Sequence, residues 1–245
     1  MISKAIMKAC RRQYETSMIK QQKLLIGANS TLQGDLYELA FRSQGVLTAR
    51  AKLGELMQAI EANRPNIVFI STDTVGPKIT SQIKYTREGR GGRDRFILCV
   101  ARTMNEAAKL EAFAAGADDI FSEPTSLAVI IGRLRYFLGQ RIAANQHQLI
   151  ASGDIKLDLV SGTAQRGHRP VRLTPTEFQI LKLLMATPDR PVTRQELLDN
   201  VWGQNAQIDI RTVDVTLNRL RRALSSEDEL DPIRSIRGQG YVFRF

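Results

Sequence analysis

The sequence predicts an α/β unit followed by an α+β unit, and three observations carry that assignment. From Lys23 to about Gln140, short apolar runs alternate with helical stretches, the pattern of a doubly wound parallel sheet. Farther on, three helix starts follow one another, two of them written as full capping boxes. At 245 residues the chain exceeds the common size of one domain, so it has room for both units.

The elements follow in chain order. Residues 1–22 form a basic extension, since residues 1–23 carry six Lys or Arg against Glu15 alone, half of the net charge of +10. We read them as a flexible or weakly helical arm. The first unit spans residues 23–140, with strands at 23–27, 46–48, 66–71, 96–100 and 120–121 and helices at 34–42, 53–62, 78–86, 105–115 and 127–140. A linker, 141–148, leads to the second unit, 149–245. Ile155, Leu157 and Leu159 alternate with polar residues there, and Gly162 and Gly167 punctuate short strands.

Thr174, Pro175 and Glu177 then supply N-cap, N1 and N3 of one helix, and Thr193 with Glu196 repeat the device. Asp209 is the expected N-cap of the third helix. Within that helix Val213, Leu217, Leu220 and Leu224 fall on one narrow apolar stripe, and Arg211, Val215, Asn218, Arg219 and Arg222 lie on the opposite side. Ile236, Tyr241, Val242 and Phe243 flank Gly238 and Gly240, which reads as a β-hairpin. An apolar back with an Arg/Asn front suits the major groove, where Arg bridges guanine O6/N7 and Asn bridges adenine N6/N7; an ordinary amphipathic surface helix has the same spacing.

Taken together, RTVDV (211–215), RLRRAL (219–224), IRGQGY (236–241), LTPTEFQILKLL (173–184) and VTRQELLDNVWG (192–203) resemble the winged-helix DNA-binding domain of the OmpR/PhoB family of response regulators. The first unit is similar to the flavodoxin-like receiver domain that precedes the winged helix in that family, most specifically in AFAAGADDIFSEP (112–124). The resemblance implies a small antiparallel sheet before the three helices. It also implies Arg219 as leading base reader, with Val215, Thr216 and Asn218 sharing the interface and Arg222 beside them. Arg211, Thr212 and Arg221 would hold phosphates, together with Trp202 and Tyr241. For Trp202 a place in the core is an equal alternative. Arg237, and less strongly Ser235, would enter the minor groove from the wing, unless Arg237 pairs with the acidic turn 227–231.

The receiver-like unit departs from its family where the chemistry should be. Phosphorylation there needs paired acidic residues that hold Mg²⁺, an Asp nucleophile, a hydroxyl and a Lys. Alignment puts Ala28 and Asn29 at the acidic pair, Ser71 at the nucleophile, Val100 at the hydroxyl and Glu123 at the Lys, with Ile120 at the aromatic switch position. Asp73 is either a displaced acceptor or the start of a loop. The expectation is a receiver without a phosphoacceptor, serving protein interaction and dimerisation. The resemblance implies a dimer face containing Lys109, Glu111, Asp118, Asp119, Arg133 and Arg135, whose opposite charges suit reciprocal pairs about a two-fold axis.

Cys10 and Cys99 are the only cysteines and lack ligand spacing. With neither a membrane-length apolar run nor a secretory leader, they point to a reducing cytoplasm. His147 and His168 read as surface residues, and the basic, Gly-rich KYTREGRGGRDR (84–95) as a solvated loop rather than a phosphate cradle. No nucleophile–base pair, metal cluster or cofactor loop is legible, so no enzyme, metal or cofactor is expected. The expected function is a sequence-specific transcription regulator binding promoter or operator DNA as a homodimer, independent of aspartyl phosphate. The alternative is a protein-interaction adaptor, for example to RNA polymerase, with weak or no specific DNA binding.

Overall fold

In the computed structural model, residues 22–142, 149–159, 162–203, 208–226 and 229–244 are described. Residues 1–21 of the expected arm (1–22), residues 143–148 of the expected linker (141–148), Cys10 and His147 lie outside them.

Apolar β-rich runs build a five-stranded, wholly parallel sheet, ordered β2-β1-β3-β4-β5. Its strands are β1 (Lys23–Ala28), β2 (Leu47–Lys52), β3 (Ile67–Thr74), β4 (Phe96–Thr103) and β5 (Asp119–Ser122). Helices cover both faces, which is why β1, β3 and β4 each carry an unbroken buried run of five or six residues. These are α1 (Thr31–Arg42), α2 (Leu56–Asn63, entered through a 3₁₀ turn), α3 (Pro77–Glu88), α4 (Glu106–Ala115) and α5 (Leu127–Ile142). Strands β3 and β4 run three residues beyond their expected ends, so Asp73 lies within β3, one residue before its end, instead of starting a loop.

The second unit opens with an antiparallel meander, β6 (Leu149–Ser152), β7 (Ile155–Asp158), β8 (Thr163–Arg166) and β9 (Arg169–Val171). Three helices follow, α6 (Pro175–Ala186), α7 (Arg194–Val201) and α8 (Arg211–Leu224), then the hairpin β10 (Ile233–Ile236) and β11 (Gly240–Phe243). Both capping boxes form: Thr174 and Glu177 exchange side-chain and backbone bonds, as do Thr193 and Glu196. The Asp209 expectation is one residue early. Helix α8 is entered at Ile210, while Asp209 Oδ1 accepts the Arg211 N–H at 2.7 Å.

The apolar core on one face of the parallel sheet, around Val68, Ile97 and Phe113, is continuous with the core of the second unit around Leu181, Trp202 and Leu217. The other face holds a separate core of Phe41, Phe69, Phe96 and their neighbours. Among the described residues no helix is long and apolar enough to cross a membrane.

Candidate nucleic-acid interface and the domain seam

The carboxyl end of the parallel sheet brings the five altered receiver positions together. Strand register sets Ala28 beside Ser71 and Ser71 beside Val100. Ser71 and Val100 are buried, and neither they nor Ala28 and Asn29 supply an anionic oxygen. Glu123, just past β5, accepts hydrogen bonds from Gln33 Nε2 at 2.7 Å and the Tyr37 hydroxyl at 3.4 Å. Burial, followed by the nearby Glu123 charge, pushes the Tyr37 phenol up to about 12. Asp73 faces solvent, with Arg102 at 3.3 Å. These residues do not fit Mg²⁺, which requires several anionic oxygens at one point.

The other candidate site is α8. Its stripe of Val213, Leu217, Leu220 and Leu224 is buried as expected, but it is wider than the apolar residues alone indicate. Thr212 and Thr216 are buried beside it, and the Thr216 hydroxyl donates to the Thr212 carbonyl at 2.8 Å. Their expected DNA-facing places are therefore corrected: they precede Leu220 at i, i+4 and i+8, on the edge that packs into the core. Arg211, Asn218 and Arg222 are exposed, and Val215 is half-buried.

Wing and helix are tied at their base. The Arg221 guanidinium lies 3.0 Å from the Asp231 carboxylate and donates to the Ile233 carbonyl and the Ser235 hydroxyl, while Tyr241 donates to Asp214 at 2.6 Å and accepts from Arg194 at 3.0 Å. The expected phosphate contacts of Arg221 and Tyr241 thus compete with bonds inside the domain. Arg237 stands exposed at the tip and makes no ion pair among the described residues; of the acidic turn, Glu229 meets Arg169 and Asp231 meets Arg221. Gly240 is required at the hairpin because a Cβ there would fall 2.1 Å from the Val192 carbonyl oxygen.

Arg219, the expected base reader, is engaged elsewhere. Helix α8 packs against α4, where Arg219 Nη1 donates to the Phe113 carbonyl at 2.9 Å, and Nη2 lies 3.1 Å from the fully buried Glu177. Burial lowers the pKa of this guanidinium, and Glu177 opposes the shift. In this arrangement Arg219 is unavailable to a base.

Asp118 is the hub of the same seam. Its carboxylate accepts from Arg87 at 2.5 Å, from the Ile97 N–H at 2.9 Å and, across the seam, from the Thr176 hydroxyl at 2.8 Å. Its carbonyl accepts the indole N–H of Trp202 at 3.1 Å, which makes Trp202 a buried joint between the units instead of a phosphate contact. Arg133 pairs with Asp119 and donates to the Val201 carbonyl at 3.0 Å. Burial raises the pKa of the Asp119 carboxyl, and Arg133 counteracts this. Of the expected dimer face, Asp118, Asp119 and Arg133 therefore serve contacts inside the chain; Lys109 is buried, Glu111 is exposed and Arg135 bonds Gln44. Sequence reasoning missed this use of Asp118 and Glu177; for Trp202 its alternative of a place in the core agrees with the burial, though the bond to Asp118 was not foreseen.

A receiver-type parallel sheet joined to a winged helix defines a two-domain regulator of the response-regulator class. Residues 168–243 match the family model described as "Transcriptional regulatory protein, C terminal". The chain is 39% identical over 145 residues to the phosphate regulon transcriptional regulatory protein PhoB of Rhizobium meliloti, covering 59% of this chain and 64% of that one, just under two thirds. It is 31% identical over 194 residues to the response regulator MprA of Mycolicibacterium vanbaalenii, covering 78% of this chain and 83% of the relative. In fold alone it is similar to the solved structure of a RitR mutant, with a TM-score of 0.66 at 17% identity over 91% of this chain and 99% of that one. The chain belongs to the OmpR/PhoB family of response regulators, DNA-binding regulators of transcription.

Proposed function

We propose that this protein reads operator DNA as a homodimer, with α8 in the major groove and the wing in the neighbouring minor groove, and that aspartyl phosphate is not its switch. The observation that carries the reading is α8 itself, whose apolar edge is buried while Arg211, Asn218 and Arg222 stand exposed beside Arg219. These are side chains suited to phosphates and base edges. Because Arg219 bonds Phe113 and Glu177, binding in this way requires α8 to leave α4. Asp118, Asp119 and Arg133 serve the seam, so pairing of two copies through that face also requires the seam to open.

The neutral cluster of Ala28, Ser71 and Val100, with Glu123 at the lysine position, supports independence from phosphorylation. Treatment with acetyl phosphate and Mg²⁺ is expected to give neither an acyl phosphate by mass spectrometry nor tighter operator binding. An acyl phosphate on Asp73 that strengthens binding would overturn this reading. Fluorescence anisotropy against genomic fragments tests recognition: binding should select particular fragments and weaken steeply with salt. Arg237→Ala should alter A·T preference next to the major-groove site. If no fragment is preferred at any salt concentration, the adaptor reading replaces this one.

A further inference from the structure

The segment 84–95 has no part in the function derived so far, yet its structure is specific. Arg87 and Arg95 are buried and organise the loop by donating to its carbonyls. Arg87 bonds the carbonyls of Gly92, Arg93, Arg95 and Gly116 at 2.6–3.2 Å, and Arg95 bonds those of Pro65, Thr86 and Arg90. Gly92 allows the loop to fold back, since a Cβ there would lie 2.3 Å from the Thr86 carbonyl oxygen. The turn is thus a fixed wall, and it holds Arg93 at the seam, 3.7 Å from Glu177.

Between that wall and the second unit lies a cleft of about 420 Å³. Arg87 and Arg93 line it from the receiver side, and Arg172, Arg219 and Arg222 from the other. Glu88 and Asp94 are its acidic members, and Lys84 stands 3.9 Å from Glu88. Every N–H-bearing nitrogen of the Arg87 guanidinium is already engaged, so the donors open to a ligand belong to Arg93, Arg172 and Arg222, with Arg219 at the back. Arg172 and Arg222 are exposed and make no ion pair among the described residues. The rest of the lining is glycine and alanine. The cleft therefore offers forked cationic donors but no aromatic face for a base and little surface for hydrocarbon, the chemistry of phosphate recognition.

We propose that this cleft binds a small polyanion bearing linked phosphates, either free or as the tail of a nucleotide, and that the ligand holds the two domains together. Arg93 belongs to one unit and Arg172 and Arg222 to the other, so a bridging anion stabilises the docked arrangement in which Arg219 is withheld from bases. By linkage the ligand weakens operator binding and the operator weakens ligand binding by the same factor. This effect on DNA rests on the reading of α8 given above, whereas the site itself does not.

The test is calorimetry on the full chain at constant ionic strength, with inorganic tripolyphosphate, ATP without Mg²⁺, adenosine and sulfate as probes. Tripolyphosphate and ATP should bind, and adenosine and sulfate should not. Equal affinity of the first two identifies the phosphate chain alone as the determinant, and tighter binding of ATP identifies a nucleotide tail. Arg93→Ala and Arg172→Ala should each weaken binding about tenfold or more, as expected for a lost charge-assisted hydrogen bond. Saturating tripolyphosphate should lower operator affinity of the unaltered protein roughly fivefold or more, and this effect should vanish in Arg93→Ala. Arg93 lies on the receiver, so a polyanion that merely competed for α8 would act equally on that variant. Absence of binding at millimolar tripolyphosphate, or binding that Arg93→Ala leaves unchanged, overturns the proposal. Because the calorimetry contains no DNA, a protein that binds tripolyphosphate but no operator would refute only the DNA reading.

Discussion

Strand β5 begins and ends in opposite electrostatic settings. At its carboxyl end Ala28, Ser71 and Val100 line up without a charge, and the adjoining carboxylate, Glu123, takes its hydrogen bonds from the neutral donors Gln33 and Tyr37, with the exposed Arg102 guanidinium 4.0 Å away. At its start Asp118 and Asp119 are buried against Arg87 and Arg133, and Glu177 and Arg219 stand close by across the seam. The frame of a receiver persists without its charged pocket because apolar strands hold it, whereas the seam depends on charges removed from water. Apolar burial tolerates many substitutions, but a buried charge tolerates the loss of its partner poorly.

The largest test of that contrast is Asp118→Ala, which leaves Arg87 buried without its counter-ion and removes two further bonds. It should cost about 3–5 kcal/mol, read by urea denaturation; a loss below about 1 kcal/mol would mean that the seam charges behave like surface pairs. Arg219→Ala separates the two roles of α8. Discrimination at its cognate base should fall by about 1–3 kcal/mol, while hydrogen exchange in α8 and α4 should quicken because the tie to Phe113 is gone. Unchanged selectivity would show that α8 does not read bases through Arg219.

At the neutral end the effects are smaller. Tyr37 should ionise near 12 in a spectrophotometric titration, and Glu123→Gln should lower that value without returning it to 10.0, since burial is the larger cause. A full return would place the cause in the Glu123 charge. The smallest effect concerns the α7 cap. Backbone bonding at Thr193, then Arg190, holds the Glu196 carboxyl below its ordinary 4.5. A depressed carboxyl stabilises the fold above its unfolded value and ceases to do so as pH falls through its folded value. Glu196→Gln should therefore lose a slight stability increment at neutral pH and match the unaltered protein in acid.

Local chemistry was legible in the sequence, and long-range pairing was not. Thr174 with Glu177, and Thr193 with Glu196, announce α6 and α7 because a capping box is complete within four residues. The alternating apolar runs similarly disclosed the parallel sheet. Trp202 and Asp118 stand 84 residues apart, and Arg219 and Phe113 stand 106 apart, so no spacing rule connects them. Thr216 misled because a hydroxyl that bonds its own helix can be buried as readily as a short apolar side chain, and Thr212, one turn earlier, is buried on the same edge. Loop 84–95 looked solvated because its composition is polar. The available signal was an arginine in the last turn of α3 followed by closely folded carbonyls that need donors.

The contact that makes glycine necessary at position 240 has a mechanical consequence. Val192 and Tyr241 exchange backbone hydrogen bonds at 2.7 and 2.9 Å, so the hairpin is joined to the segment that enters α7 by a single antiparallel bridge. Arg194, two residues later, reaches both Tyr241 and Asp214 of α8. Wing and α8 are therefore coupled through Arg194 and Tyr241, so the span between Arg237 and the exposed face of α8 is set by bonds inside the domain, like the opening of a clamped calliper.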